Sequence, residues 1–247
     1  LPPETEFARQ LAARLWEPGP RHRMLRPDGK TQVTLRQDGD TTALDSILIS
    51  TQHDPGMTPA AIRGCVSMYV VDPVLAAHPE LDATDGLDVN PSGSFVLGGP
   101  EGDAGLTGRK IVVDQYGPSI PVGGGAFSGK DPSKVDRSAA YMARHIAVSL
   151  VHARLSMGTV RLAYGIGVAE PTDVSVDAHG TGIADDAILS AAVRDVFDLT
   201  PRGIIDALDL RRPIYADTAC MAFGRPELPW ERPSDPGILR SAVEARL

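Results

Sequence analysis

Between Thr5 and Trp16 the apolar residues Phe7, Leu11 and Leu15 recur every fourth position, which lays one stripe along a helix. A turn-rich link with three arginines follows over Gly19–Asp28. From Thr31 the period shortens to two. Val33 and Leu35 alternate with Gln32, Thr34 and Arg36, the pattern of a half-buried strand. Asp38-Gly39 has the chemistry of a hairpin turn, and Ala43–Thr51 (ALDSILIST) returns as a second strand. Thr58–Leu75 reads as helical, with Ile62, Val66 and Met68 to Val71 as its apolar positions.

Farther on, Lys110–Gln115 (KIVVDQ) predicts a strand. Pro132–Leu155 predicts a long helix, with Asp131 placed to cap it and Pro132 at its first position. Val135, Ala139, Met142, Ile146 and Leu150 share one face of that helix. Lys134 falls off this stripe, near an end that favours anions. The last third reads as strands over Thr159–Tyr164 and Thr172–Val176, then helices over Ala184–Phe197 and from Thr200-Pro201 to Leu208. Phe223-Gly224 and Leu228–Glu231 make the tail apolar enough to pack. A weak repeat, Val113-Asp114-x-x-Gly117 and Val176-Asp177-x-x-Gly180, fits a chain of similar small α+β units.

Composition narrows the class. The 247 residues are 42% apolar and 23% charged, a globular balance for one large domain or two to three small ones. The uncharged apolar runs are short, which predicts no membrane span. No basic stretch leads into an apolar run at the start, which predicts no signal peptide. Cys65 and Cys220 are too few for a disulfide framework or a CxxC metal site, so a reduced, cytoplasmic setting is expected. A net charge of −8 argues against general nucleic-acid binding. It leaves room for a local cationic pocket.

Such a pocket is expected in the glycine-dense stretch Asn90–Arg137. Glycine is kept where backbone must turn tightly or approach a ligand. Here it is interleaved with Arg109, Lys110, Lys130, Lys134 and Arg137, and with Asp103, Asp131 and Asp136. Long cations beside glycine amides suit a polyphosphate, and carboxylates among them suit its magnesium. Gly124–Lys130 (GGAFSGK) matches the front of a P-loop. Asp131 stands where that motif needs Ser or Thr, and the two prolines before it make a poor central strand. The six histidines show no zinc-binding spacing and read as packing or surface residues. There is no Gly-x-Ser-x-Gly elbow and no framed G-x-G-x-x-G fingerprint.

Two long stretches, Gly98–Lys110 (GGPEGDAGLTGRK) and Gly123–Ser138 (GGGAFSGKDPSKVDRS), resemble the signatures of S-adenosylmethionine synthetases almost word for word. Leu25–Lys30, Ser50–His53, Gly165–Pro171 and Pro229–Glu231 are similar to further family segments. The resemblance runs over essentially the whole chain but not over the whole family protein. It implies that the family's N-terminal third is missing here, and with it a potassium-binding glutamate and a second magnesium-binding acid. The chain begins Leu1-Pro2-Pro3 rather than with Met, which is read as a processed or truncated start. Two departures stand out: Ser94 where the family usually has arginine, and Ser119–Val122 where many members end in arginine-histidine.

What the resemblance implies is an α+β fold with a pseudo-threefold arrangement of similar units, one of them incomplete. Residues 1–97 would form the first unit, 98–137 the active-site half of the second, and 138–247 the third. The implied reaction joins ATP to L-methionine and releases pyrophosphate and phosphate through bound tripolyphosphate, with Mg2+ and K+ as cofactors. Arg109, Lys110, Lys130 and Lys134 would be catalytic, Lys134 also lying near the methionine carboxylate. Asp28, Lys30, Ser92, Phe95, Asp103 and Ala126 would bind substrate, and Asp136 would hold Mg2+. A second chain supplying the missing segment, and further oligomerisation, are expected. Two other readings stay open: a non-catalytic regulatory or scaffolding paralogue, and a P-loop-like ATPase.

Overall fold

In the computed structural model, residues 1–17, 24–39, 41–79, 81, 86–156, 158–219 and 221–247 are described. The first half of the Gly19–Asp28 link and Cys220 lie outside them. The chain divides into two units, Leu1–Leu106 and Thr107–Leu247. Each mixes helices with strands.

In the first unit the four-residue stripe folds as expected. Helix α1 (Pro3–Trp16) buries Phe7, Leu11 and Leu15 against a sheet. Strands β1 (Leu25–Asp38) and β2 (Thr41–His53) pair antiparallel, and Asp38 faces Thr41 across a turn in which Gly39 has φ +58°. β1 starts at Leu25, so the end of the expected link is already strand. Strand β3 (Leu87–Val89) adds in parallel to β2. Three residues without a period gave no sequence signal for it. The expected Thr58–Leu75 helix is α2 (Pro59–Val66), a wide turn over Ser67–Val71, and α3 (Asp72–Leu75). Pro73 explains the wide turn. It has no N–H to donate, and Asp72 just before it reaches back five residues to the Ser67 carbonyl.

The second unit is built around α5 (Val135–His152), which buries Ala139, Met142, Ile146 and Leu150. Before it, the KIVVDQ segment is not a strand. It closes as one helical turn, α4 (Ile111–Asp114), with the Asp114 N–H on the Lys110 carbonyl at 2.8 Å. Branched residues prefer a strand only where a neighbouring strand receives them. Here β4 (Thr159–Ala163) and β5 (Asp173–Asp177) pair with each other, and Val113 is left 61% exposed. The two copies of the weak repeat therefore differ, one a helical turn and the other the end of β5. Helices α6 (Asp186–Val196), α7 (Pro201–Ala207) and α8 (Pro236–Glu244) complete the unit. Sequence reading missed α8, although Asp235 caps it through the Gly237 N–H and Leu239 and Val243 sit four apart. Among the described residues no helix is long and apolar enough to cross a membrane.

His145 on α5 packs edge-on against Phe197, and its Nε2 lies 2.9 Å from the Ser234 hydroxyl. Burial is the main influence on its imidazole and holds its pKa below the ordinary 6.5; the Arg232 backbone opposes this. A lowered folded pKa means that protons favour the unfolded chain. The stability this group contributes is therefore complete above about pH 6.5 and shrinks as pH falls through that value. Tm should drop between about pH 7.5 and about pH 5.5, and His145→Gln should drop less over the same interval. Equal slopes in the two proteins would exclude His145 as the source.

Candidate active site

Asp28, Lys30, Ser92, Phe95 and Asp103, all singled out by sequence, lie in the first unit, near the start of β1 and in the loop after β3. That loop is tied down by polar residues at the end of β2. Asn90, at φ +47°, accepts from the Thr51 N–H at 2.7 Å and donates to the Thr51 carbonyl at 3.0 Å, imitating a strand partner. Gln52 donates to the Val96 carbonyl at 2.9 Å. Buried His53 accepts the Phe95 N–H at Nε2, its Nδ1 lies 2.9 Å from the Asp54 carbonyl, and its own N–H reaches the Phe95 carbonyl. Nδ1 must therefore carry the proton. Thr51, Gln52 and His53 are thus what shapes the Phe95 loop, a role the motif alone does not reveal.

Phe95 itself is half-buried, while Ser92, Ser94 and Lys30 are exposed. Asp28 accepts the Gly99 N–H at 2.8 Å. Gly98 sits where a Cβ would come 2.8 Å from the Phe95 ring, 2.9 Å from the Gln52 amide and 3.1 Å from the Asp28 carboxylate. No larger residue fits between them. This packing brings Asp28 and Phe95 to the same glycine. Asp103 is exposed at the end of the turn, with its N–H on the Gly99 carbonyl at 2.9 Å.

The other group lies in the second unit. Arg109 and Lys110 are exposed on irregular chain just before α4. Among the described residues no strand leads into the GGAFSGK loop, and the helix begins only at Val135, so the loop lacks a P-loop's frame. Phe127 is the loop's anchor. It is buried edge-on against Tyr141 at 5.2 Å and Phe223 at 5.9 Å. Trp230 stacks on Tyr141 at 3.8 Å, and Tyr116 stacks on Phe223 at 4.6 Å. Below this cluster Arg144 grips Glu231 with both ends of its fork, at 2.7 and 3.0 Å. The tail motif Pro229–Glu231 therefore works as the floor under the loop. Ala126, next to the anchor, is half-buried.

The expected cap of α5 is corrected. The Asp131 carboxylate accepts the Ser133 N–H at 2.8 Å, a turn of its own, and Lys134 rather than Asp131 occupies the N-cap position. Hydrogen bonds from Ser133 and then Lys134 hold the Asp131 carboxyl down to about 2. Lys134 meets Asp131 at 3.0 Å, and Lys130 meets Asp136 at 2.6 Å. The Asp136 side chain is 56% exposed, and a Cβ on Gly125 would strike it at 2.5 Å. Arg137 is a second correction: it is buried rather than facing a ligand.

Two lysines and two carboxylates thus alternate at one helix start, each cation parked on an anion that a polyphosphate could displace. Mg2+ keeps several waters and is commonly bound by one or two carboxylates plus substrate phosphates. One exposed Asp136 carboxylate beside Lys130 and Lys134 fits that demand. Among the described residues no three His, Cys, Asp or Glu side chains gather into a cage of their own.

Residues 1–95 match the family model described as S-adenosylmethionine synthetase, central domain, and residues 97–232 match S-adenosylmethionine synthetase, C-terminal domain. The chain is 52% identical over 214 residues to the S-adenosylmethionine synthase of a Sulfurovum species, covering 84% of this chain and 55% of that protein. It is 55% identical to the S-adenosylmethionine synthase of a Nitratiruptor species, with the same two shares covered. It is 48% identical to that of Deinococcus deserti, over 99% of this chain and 62% of the relative. The chain spans little more than half the length of these relatives.

Proposed function

Because this chain belongs to the S-adenosylmethionine synthetase family, we propose that it takes part in making S-adenosylmethionine from ATP and L-methionine, together with the portion of a synthase that its match leaves out. The observation that carries this reading is the start of α5, where Lys130 pairs with Asp136 and Lys134 with Asp131, two cations beside two carboxylates. The methionine sulfur is a neutral nucleophile, so its attack on C5′ of ATP needs no base. The C5′–oxygen bond breaks and its electron pair leaves with the triphosphate. The barrier lies in that developing charge and in aligning the three atoms. A surface carrying Arg109, Lys110, Lys130 and Lys134 suits this chemistry.

Within this reading Lys110, Lys130 and Lys134 grip the triphosphate, and Arg109 serves its later cleavage to pyrophosphate and phosphate. Arg109 and Lys110 are neighbours on irregular chain just before α4 and can both face the phosphates. Asp28, Lys30, Ser92, Phe95 and Ala126 take the nucleotide, and Asp103 the methionine ammonium. Asp136 would hold Mg2+, which would neutralise charge on the phosphates. K+ would be held in the unmatched portion, where the family's potassium-binding glutamate is expected. A pseudo-threefold set of units and oligomerisation, with the unmatched portion supplied by a partner, complete the proposal.

The non-catalytic paralogue is less favoured, because the lysines, Asp136 and the packing beneath them are all in place. The experiment is a product assay. The protein with the complementary portion of a synthase, given ATP, L-methionine, Mg2+ and K+, should release S-adenosylmethionine, pyrophosphate and phosphate in equal amounts. Phosphate release that does not depend on methionine would sink the proposal in favour of an ATPase.

A further inference from the structure

Arg137 is 4% exposed. Its Nε donates to the Tyr141 hydroxyl at 2.9 Å, and its Nη1 donates to the Lys130 main-chain carbonyl at 2.6 Å. Its guanidinium carbon lies 4.0 Å from the centre of the Tyr215 ring. Among the described residues it forms no ion pair with a carboxylate. A buried cation without a counter-ion is costly, and an apolar residue would fill the space without that cost. What an apolar residue could not do is bridge two elements with a fork.

The two ends of this fork go to different places. One reaches Tyr141, one turn farther along α5. The other reaches Lys130, the last residue of the GGAFSGK loop. Glycines at 123, 124, 125 and 129 give that loop little stiffness of its own. Its position is therefore set by Phe127 in the aromatic cluster and by Arg137 at its end. The Lys130 side chain then lies over the first turn of α5, on Asp136. The Tyr215 ring covers the guanidinium and favours its charge.

We propose that Arg137 is a positioning residue: it fixes the main chain of Lys130 so that the Lys130 ammonium meets the polyphosphate, and it does not touch substrate itself. This rests on the triphosphate role given to Lys130 above. An Arg137→Lys change keeps the charge but cannot span Tyr141 and the Lys130 carbonyl at once.

The test is a double-mutant cycle on binding of inorganic tripolyphosphate with Mg2+, measured by calorimetry on the complete assembly. Lys130→Ala should weaken binding by roughly tenfold or more, the loss of a charge-assisted contact. Arg137→Lys should weaken it by a similar factor, and the double variant should be no weaker than Lys130→Ala alone. If the two factors multiply, Arg137 does not act through Lys130 and the proposal fails. Tyr141→Phe releases the other end of the fork with almost no change of volume. It should weaken binding in the unmodified background and not in the Lys130→Ala background, and equal weakening in both would also overturn the proposal. An assembly that shows the coupling but makes no S-adenosylmethionine would count against the synthase reading and leave the positioning role standing. Absence of tripolyphosphate binding by the unmodified protein would overturn both.

Discussion

Replacing Lys134 by alanine should slow S-adenosylmethionine formation by about 10²–10³-fold, on the order of 3–4 kcal/mol in the barrier, while leaving the fold in place. The structural half of this expectation follows from where Lys134 sits. It occupies the N-cap position of α5 but makes no side-chain cap bond, and among the described residues its ammonium bonds to Asp131 at 3.0 Å and Ser133 at 3.1 Å. Its side chain is 55% exposed and the Asp131 side chain 60%. Solvent and salt screen an exposed pair of this kind, so the midpoint of unfolding should hardly move. The kinetic half follows from chemistry in which the departing group carries the charge. Steady-state rates and a thermal melt on the same preparation check both. A raised KM with unchanged kcat would mean that Lys134 binds ATP and the transition state equally well. Equal kcat and KM in the two proteins would remove Lys134 from the site.

Trp230→Ala should act in the opposite way, through the fold. The ring is fully buried, stacks on Tyr141 at 3.8 Å and donates from Nε1 to the Ala222 carbonyl at 2.6 Å. Truncating a buried tryptophan costs about 3–5 kcal/mol, because the cavity cannot close fully. Tyr141 also carries Phe127 and Arg137, so the loop bearing Lys130 should loosen with it. Denaturant unfolding followed by circular dichroism should show the midpoint moving down. Trp230→Phe, which keeps a ring over Tyr141 but loses the Nε1 bond, should lose less. A loss below about 1 kcal/mol in the alanine variant would mean that the aromatic cluster does not hold the loop.

The contrast between these two residues follows what sequence could disclose. Helical stripes such as Phe7–Leu11–Leu15 and Ala139–Met142–Ile146–Leu150 depend on local periodicity, and they folded as read. KIVVDQ carried strand propensity, but among the described residues no strand receives it, and propensity gave way to context. Lys134 and Asp136 were visible as charges in a glycine-rich run. That Asp131 spends its carboxylate on Ser133, moving the cap to Lys134, depends on one hydrogen bond two residues away. Arg137 was the least legible. Nothing in KVDRS says that one of its charges points inward, because that depends on Tyr141 one turn later and on Tyr215 far along the chain. The same holds for Thr51, Gln52 and His53, whose work is to hold Asn90, Val96 and Phe95.

In the proposed reaction methionine sulfur displaces the whole triphosphate from C5′, with the α5 lysines taking the charge. ATP carrying oxygen-18 in the bridge between C5′ and the α-phosphorus tests it most directly. Breaking the carbon–oxygen bond sends the label out with the triphosphate, so mass spectrometry should find it in the phosphate products and in none of the S-adenosylmethionine or other adenosine-containing product. Label retained on the adenosine side would mean that the protein breaks phosphorus–oxygen bonds instead, and would contradict the account.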